Sequence, residues 1–359
     1  MPKIKRKTIK VKDSKLTEEW KEVPKQVTPK SNDTNILNEL KQALKLLKCE
    51  FPLNVHEHVT EEEVFKMEKH CYEWAKKFEL ITKKTTNIEF KLSKFGLLIC
   101  YIFPTVSFER RCLAVDFFNW LFFVDDLVDK KKDLKGNPKE IKILLDKFKN
   151  ILDDNPQSDI FQNPISIALW DVWARMKKIT NETWRLKFRN TISLYFDACY
   201  LNAHNKQSHS IPNSVEEYIK IRRNSGAVMT SFNLIEPLLG IQLSYDLNIQ
   251  NLMDFCNDHI CFINDLYSLK KELVEGEVDN IIVVLQRSNQ YSLREAIEYA
   301  VILINDRMKQ IKEVVDKLKQ FNLEIDQDTS KYINALLDIV VGSFYWHKIS
   351  GRYLAKNKK

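Results

Sequence analysis

Glycine accounts for only seven of the 359 residues, and this scarcity limits the folds that the chain can adopt. Tight hairpins and many loops need residues with positive φ, which glycine supplies without a steric cost. Long stretches of the chain instead repeat apolar residues with the 3.6-residue period of amphipathic helices. Hydrophobic residues make up 44% of the chain, enough for a large core. The sequence therefore predicts an all-α protein.

Helical periods and their interruptions predict about ten helices. Pro104 should divide a very apolar region into two helices, because proline cannot occupy a helix interior. Ser214 and Glu217 have the spacing of a capping box, and Asn224-Ser225-Gly226 should then break the helix that they start. The predicted helices cover approximately residues 35–48, 61–80, 88–102, 107–128, 139–152, 160–178, 181–204, 214–223 with a continuation after the break to 239, 247–275, 292–321 and 327–354. No repeat or linker divides residues 31–355, which we expect to form one helical domain.

The formal charge of +7 is concentrated in an amino-terminal arm. Residues 1–30 contain ten Lys or Arg and four Asp or Glu, a net charge of +6, with no apolar segment of the kind found in secretory signals. We expect a solvated, disordered arm, with a localisation signal or a phosphate-binding arm as alternatives. Nucleic-acid binding would depend on this arm alone, so deleting residues 1–30 would test it. We expect no nucleic-acid partner, and residues 356–359 form a short tail.

Cysteine usage and the absence of apolar spans indicate the compartment. The seven cysteines are odd in number and contain no Cys-x-x-Cys pair, as expected for reduced core thiols in the cytoplasm. No run of 18 apolar residues predicts a membrane span. Glycine-rich nucleotide loops and a His-Glu-x-x-His motif are absent from the sequence as well, which argues against a nucleotide-binding protein or a zinc protease.

Asn264, Ser268 and Glu272 form the first candidate site. At about 100° per residue, positions i, i+4 and i+8 share one face of a helix. An amide oxygen, a hydroxyl and a carboxylate make a poor Ca²⁺ site, but they suit Mg²⁺, which takes its remaining ligands from water and substrate phosphates. The alternative is a polar helix face in solvent. Asp265 points about 100° away from Asn264 and is not assigned as a ligand.

Asp125, Asp126 and Asp129 form a second candidate site at the end of a strongly apolar helix. Such charges often mark only the point where a helix reaches water. Three carboxylates at a helix carboxyl end nevertheless repel one another and oppose the macrodipole, unless they share cations. We interpret the two clusters as facing walls of a multi-metal site that binds a diphosphate.

The remaining groups suggest which chemistry such a site would perform. Arg222, Arg352 and Lys271 are candidate phosphate contacts, although a surface arginine usually has no such role. No general base stands out among the residues. A diphosphate bound by metals beside aromatic side chains suggests ionisation of an allylic diphosphate in a dry pocket, where aromatic faces stabilise the carbocation.

With these motifs the chain resembles a class I terpene synthase of the microbial type, within the isoprenoid synthase superfamily. That family carries an Asp-Asp-x-x-(x)-Asp motif and an Asn-Asp-x-x-Ser-x-x-x-Glu motif, matched here at 125–129 and 264–272. The resemblance covers about residues 50–355. It implies a single-domain helical bundle with a central active-site cavity, and three Mg²⁺ ions with Mn²⁺ as a substitute. It also implies Asp125 as the main bridging ligand and the Asn-Ser-Glu triad as the holder of the third ion.

Further residues match the family's diphosphate contacts. Arg222, Ser225 and Gly226 resemble its diphosphate sensor, linker and effector, with Arg223 as a rival sensor. Arg352-Tyr353 resembles the carboxy-terminal pair in which Arg binds diphosphate and Tyr supports the aspartates. Lys271 matches a lysine that contacts diphosphate. The candidate pocket aromatics are Phe95, Phe118, Phe122 and Trp346. Ordinary core packing is the alternative for each, and for the phenylalanines it is slightly favoured.

The resemblance implies a lyase that ionises an isoprenyl diphosphate and cyclises the carbocation, as a monomer or homodimer. Farnesyl diphosphate is favoured over geranylgeranyl diphosphate. A chain-elongating prenyl diphosphate synthase is the first alternative, but it should carry a second Asp-Asp-x-x-Asp where this chain has Asn-Asp-Leu-Tyr-Ser. A non-catalytic helical scaffold is the second, and the retention of every expected ligand argues against it.

Overall fold

Helices are the only regular elements in the part of the chain that the structure, a computed structural model, describes. That part comprises residues 31–53, 58–129, 137–156, 162–208, 210, 212–243, 247–275, 279–320 and 326–353. The predicted arm (1–30) and tail (356–359) lie outside the described residues, as do residues 130–136 after Asp129. The all-α prediction is confirmed.

The helices follow the predicted order closely. They are α1 (Ser31–Leu44), α2 (Glu61–Lys77), α3 (Lys84–Ser93), α4 (Phe95–Ile102), α5 (Phe108–Asp129), α6 (Pro138–Leu152), α7 (Pro164–Lys177), α8 (Glu182–Ser208), α9 (Val215–Ser225), α10 (Val228–Asn233), α11 (Ile235–Leu239), α12 (Leu247–Glu275), α13 (Ile281–Ser288), α14 (Leu293–Gln320) and α15 (Gln327–His347), followed by a 3₁₀ turn at Gly351–Tyr353.

Local signals explain where several helices begin. The Ser214 hydroxyl accepts a hydrogen bond from the Glu217 amide at 3.1 Å, as its capping-box spacing predicts. The Glu217 carboxylate, however, accepts from the Asn213 amide instead of closing the box on Ser214. Asn163 accepts from the Ile165 amide at the start of α7, with proline at the first helical position.

Two differences from the prediction affect the site. The apolar segment before Pro104 is not one helix, because Lys94 adopts a left-handed conformation (φ 55°) and separates α3 from α4. The last predicted helix ends seven residues early, at His347, and Arg352-Tyr353 lies on the 3₁₀ turn rather than in that helix. Helix α13 was not predicted at all, since its eight residues are too short for a clear period.

One continuous apolar core extends from Leu40 to Trp346 and joins the long helices. Close approach of α15 to α4 depends on Gly342, where a Cβ would lie 2.6 Å from the backbone of Tyr101. Trp120 is fully buried, and its indole donates to the Ile165 carbonyl at 3.0 Å, which joins α5 to α7. All seven cysteines are unpaired. Within the described ranges, no helix is both long and apolar enough to cross a bilayer.

Candidate active site

A cavity of about 220 Å³ lies between α4, α5, α8, α9, α10, α12 and α15. Along two of the helices that line it, the lining side chains change from apolar to polar. On α5 the lining residues are apolar at Phe118 and Phe122 and acidic at Asp125, and on α12 they change from Ile260 to Asn264. The polar groups therefore gather near the carboxyl ends of these helices, where the macrodipoles favour cations.

Helix α5 supplies the aspartate wall. Asp125 lines the cavity, with 44% of its side chain exposed, and Asp126 beside it is 27% exposed. A single guanidinium contacts both, since Arg352 lies 2.7 Å from the Asp125 carboxylate and 3.2 Å from that of Asp126. Asp129 is the last residue of α5, and the position of its side chain lies outside the described structure.

Helix α12 supplies the opposite wall, and Asn264, Ser268 and Glu272 all line the cavity as their spacing predicts. The Asn264 amide donates to the Tyr353 hydroxyl at 3.1 Å, and its oxygen accepts from Arg222 at 2.9 Å. Ser268 is 3% exposed. Burial raises the pKa of Glu272 to about 7, and the charge of Asp265 acts in the same direction.

The donor set fits a divalent cation that prefers oxygen ligands. Both walls offer carboxylate, amide and hydroxyl oxygens, with no sulfur or imidazole among the predicted ligands. In the described part of the chain no three His, Cys, Asp or Glu side chains are close enough to hold an ion by themselves. Mg²⁺ at such donors usually takes its remaining ligands from water and substrate phosphates. A cation beside Glu272 would also favour its ionised form.

Asp265, which was not assigned as a ligand, is fully buried and is not among the cavity-lining residues. It accepts two hydrogen bonds from Arg222, at 2.8 and 3.0 Å, one from the Tyr218 hydroxyl, and one from the Ile281 amide at 3.2 Å. Both carboxylate oxygens of Asp265 therefore already accept hydrogen bonds from the protein. Asp265 holds Arg222 in place and leaves the neighbouring Asn264 oxygen at the cavity.

The two rival sensors have different surroundings. Arg222 lines the cavity between Asp265 and Asn264. Arg223 is not among the cavity-lining residues, and its guanidinium binds Asp254 at 2.6 Å and Asp258 at 2.7 Å. The position of Arg222 is the one from which a side chain could reach a diphosphate.

The predicted helix break lies against the cavity. Ser225 and Gly226 both line it, and a Cβ on Gly226 would lie 2.4 Å from the Cys261 sulfur. Ala227 follows in the left-handed region with φ 56°, which is uncommon for a residue with a Cβ. Such backbone conformations cost free energy and concentrate at functional sites. The sequence did not point to Ala227.

The 3₁₀ turn places Arg352 and Tyr353 beside the cavity. Trp346 anchors this region, because its indole donates to the carbonyls of Ser93 and Lys94, each at 2.9 Å, at the left-handed break between α3 and α4. Tyr353 contacts Asn264 on α12, whereas it was expected to support the aspartates. Arg352, expected at the diphosphate, is the residue that contacts the aspartates.

Three of the four predicted pocket aromatics line the cavity, namely Phe118, Phe122 and Trp346. Phe95 lies one layer behind them. Its ring stacks on Phe122 at a centroid distance of 4.2 Å, and it is 3% exposed. For Phe95 the packing alternative was therefore the correct one, because α4 presents that residue to Phe122 instead of to the open space.

Several cavity residues were missed by the sequence reasoning. Lys271 was predicted and is present, but Asn202, Lys206, Asp279 and His347 also line the cavity. Burial lowers the pKa of His347 to about 4 and raises that of Asp279 to about 6. Their clearest signal was position, since His347 directly follows Trp346 and Asp279 lies seven residues beyond Glu272 in an otherwise unassigned segment.

Comparison with known proteins gives the family. The model of terpene synthase family 2, C-terminal metal binding, matches residues 116–310, more than half of the chain. Both predicted metal motifs fall within the matched region.

Three curated relatives are 27–29% identical to this chain over most of its length. A (+)-eremophilene synthase of Sorangium cellulosum is 29% identical, covering 80% of this chain and 87% of the relative. A germacrene A synthase of Nostoc punctiforme is 27% identical over 86% of this chain and 94% of the relative. A (+)-T-muurolol synthase of Roseiflexus castenholzii, named as cyclising (2E,6E)-farnesyl diphosphate, is 29% identical over 79% and 87%.

Solved structures share the fold. Cucumene synthase superposes with a TM-score of 0.70 at 21% identity, covering 84% of this chain and 99% of that one. Germacradien-4-ol synthase from Streptomyces citricolor gives a TM-score of 0.70 at 18% identity, covering 84% and 97%. Together with the family match, these similarities show that the chain belongs to the terpene synthases, which are divalent-metal-dependent lyases.

Proposed function

We propose that this terpene synthase ionises farnesyl diphosphate with the help of three Mg²⁺ ions and cyclises the resulting carbocation. The observation that carries the proposal is the meeting of three elements at one cavity. Oxygen donors on α5 and α12 line it, Arg222 lines it beside Asn264, and apolar and aromatic side chains line the rest. The ligands would be Asp125, Asp126 and Asp129 on α5 and the Asn-Ser-Glu triad on α12.

Ionisation breaks the bond between the allylic carbon and the diphosphate oxygen, so that the electron pair leaves with the diphosphate. Bound Mg²⁺ would supply positive charge to the departing group. Arg222, Lys271 and Arg352 line the same cavity and would bind its oxygens, with guanidinium groups suited to bidentate contacts. Arg352 must first exchange its aspartate partners for the diphosphate, because its guanidinium now contacts Asp125 and Asp126.

The carbocation that remains must be protected from water until a ring has closed. Phe118, Phe122 and Trp346 present aromatic rings to the cavity, where cation–π attraction stabilises positive charge. The reaction would end when the cation loses a proton to form an alkene or gains water to form an alcohol. Apolar residues Leu98, Ile102 and Ile339 line the space around these rings and exclude solvent.

The relatives favour the C15 substrate over the C20 substrate. The muurolol synthase similar to this chain is named for farnesyl diphosphate, which supports the same assignment.

The direct test incubates purified protein and Mg²⁺ with C10, C15 and C20 allylic diphosphates and analyses the products by mass spectrometry. We expect a cyclic C15 hydrocarbon or alcohol from farnesyl diphosphate. No terpene from any of the three would overturn the proposal. A parallel incubation with added isopentenyl diphosphate tests the alternative, because an elongating synthase would form longer diphosphates in place of volatile products.

A second test replaces one of the proposed metal ligands on α12. Asn264→Leu removes the amide oxygen and should lower kcat/KM by more than about 100-fold, with the helical circular dichroism unchanged. Asn251→Leu, at an exposed position on the same helix, is the matched control and should retain activity. Turnover preserved in Asn264→Leu would exclude Asn264 as a metal ligand.

A further inference from the structure

Asp279 connects two helices at the edge of the cavity. One of its carboxylate oxygens accepts hydrogen bonds from the Asn202 amide on α8 and from the Ser225 hydroxyl at 3.4 Å, at the end of α9. Asp279 belongs to neither metal motif, and it lines a cavity proposed to receive an anionic substrate. Asp279 is half-buried, and a carboxylate withdrawn from water costs free energy, so a neutral residue would serve plain packing better.

Asn280, the next residue, connects Glu272 on α12 to the start of α13. Its amide nitrogen donates to Glu272 at 2.7 Å and to the Asp265 carbonyl at 2.8 Å. Its amide oxygen accepts from the Ile282 amide at 2.9 Å and caps α13. Capping alone requires only the oxygen. The two bonds from the nitrogen have a different effect, since they fix Glu272 relative to the backbone that carries Asp279.

These contacts form a continuous path between Arg222, the predicted diphosphate sensor, and Glu272 on α12. Arg222 and Ser225 are three residues apart on α9, and Ser225 is the last residue of that helix before the break. Ser225 contacts Asp279, and the adjoining Asn280 contacts Glu272. Asp265 provides a parallel route, because its side chain binds Arg222 and its carbonyl accepts from Asn280.

We propose that Asp279 and Asn280 are positioning residues that couple the Arg222–Ser225 helix break to Glu272. Diphosphate binding at the break and metal binding at Glu272 then strengthen each other. This inference rests on the proposed function and names a device within that site. Coupling of two ligands is reciprocal, so the effect can be measured from either ligand.

The test measures binding of inorganic pyrophosphate to the full chain by calorimetry, with and without saturating Mg²⁺. The ratio of the two affinities is the coupling factor. Asn280→Ser keeps a good helix cap but cannot reach Glu272, and it should reduce the coupling factor on the order of 10-fold. Asn163→Ser makes the same change at the cap of α7, away from the cavity, and should leave the factor unchanged.

A second variant tests the path itself. Ser225→Ala removes only the hydroxyl that contacts Asp279, so it should fold normally. If the path is real, Ser225→Ala combined with Asn280→Ser loses no more coupling than the larger single loss, because both variants break one connection. In steady-state assays both should lower kcat at limiting Mg²⁺ more than at saturating Mg²⁺, which a loss of stability alone would not produce.

The outcomes separate the two proposals. Additive losses, or an unchanged coupling factor in folded Asn280→Ser, would overturn the path while leaving the proposed function intact. Failure of the unmodified protein to bind pyrophosphate in a Mg²⁺-dependent way would overturn the proposed metal site and the coupling with it.

Discussion

The two walls of the cavity differ in how firmly the protein holds them. On α5, Asp125 and Asp126 are partly exposed and are contacted by Arg352 from outside the helix. On α12, two of the three triad ligands are hydrogen-bonded to neighbouring side chains, and the third, Ser268, is 3% exposed. Asn264 contacts Arg222 and Tyr353, and Glu272 contacts Asn280.

This difference indicates a division of labour in metal binding. The α12 wall is preorganised, so ions would meet donors whose positions are already set. The α5 wall has to exchange one partner, because the carboxylates that Arg352 contacts are the ones predicted to bind metal. Most of the conformational change on substrate binding should therefore occur at the aspartates and the 3₁₀ turn rather than on α12.

The strongest test of the comparison is Asp265→Asn. This substitution removes the buried charge that holds Arg222, and breaking such a pair from one side should destabilise the protein by about 3–5 kcal/mol. The measurement is the free energy of unfolding in urea. The matched change on the other wall is Asp125→Asn.

Asp125→Asn should behave in the opposite way. The Asp125 side chain is 44% exposed, and Arg352 has Asp126 as a second partner, so stability should change by less than about 1 kcal/mol. Turnover of farnesyl diphosphate should nevertheless fall sharply. Equal destabilisation by the two variants would mean that the α5 wall is as firmly held as the α12 wall.

The pH dependence of stability is the next test. Burial holds the pKa of Glu272 at about 7, above the value of 4.5 for an unperturbed glutamate. Between these values the folded protein retains a proton that the unfolded chain has lost, so this group's contribution to stability decreases as pH rises from 4.5 to 7. Glu272→Gln should flatten that decrease in urea unfolding at several pH values.

Glu68 provides the control for the pH experiment. Burial also raises its pKa to about 7, but it accepts from the Leu97 amide and is not a cavity-lining residue. Glu68→Gln should flatten the slope as well. Adding Mg²⁺ and pyrophosphate should flatten the slope of the unmodified protein and of Glu68→Gln, but not that of Glu272→Gln. A ligand effect that persists in Glu272→Gln would place the ion elsewhere.

Packing of α9 on α12 gives a smaller effect. Gly226→Ala would put a methyl group 2.4 Å from the Cys261 sulfur and should cost about 1–3 kcal/mol of stability. Adding Cys261→Ala removes the obstructing sulfur and should recover most of that loss. If the double variant is no more stable than Gly226→Ala, then the helix break rather than the contact with Cys261 determines the cost.

Much of the fold and the site could be predicted from sequence, because the signals were local. Helix periods, Pro104 and the cap at Ser214 depend on neighbouring residues, and the i, i+4, i+8 spacing placed the triad of α12 on one face. The early end of α15 was not predictable in this way, since its last turn is fixed by the indole of Trp346 on carbonyls more than 250 positions away.

Other residues were missed because their roles arise only from packing. Asp279 contacts Asn202 and Ser225, which are 77 and 54 positions away. Phe95 was predicted to line the cavity, but it lies behind Phe122. In an apolar helix, the sequence does not indicate which side faces the cavity. Distinguishing a cavity wall from the layer behind it requires the three-dimensional arrangement.

The prediction with the smallest expected effect compares Phe122, which lines the cavity, with Phe95 behind it. Phe122→Leu removes a ring that lines the cavity and lies 4.8 Å from the Arg352 guanidinium, so it should change the product ratio and lower kcat a few-fold through lost cation–π stabilisation. Phe95→Leu should reduce stability by about 1 kcal/mol and leave the product ratio unchanged. Mass spectrometry of the volatiles measures the ratio. If Phe95→Leu changes the product ratio as much as Phe122→Leu does, then Phe95 also determines the shape of the cavity, through its packing against Phe122.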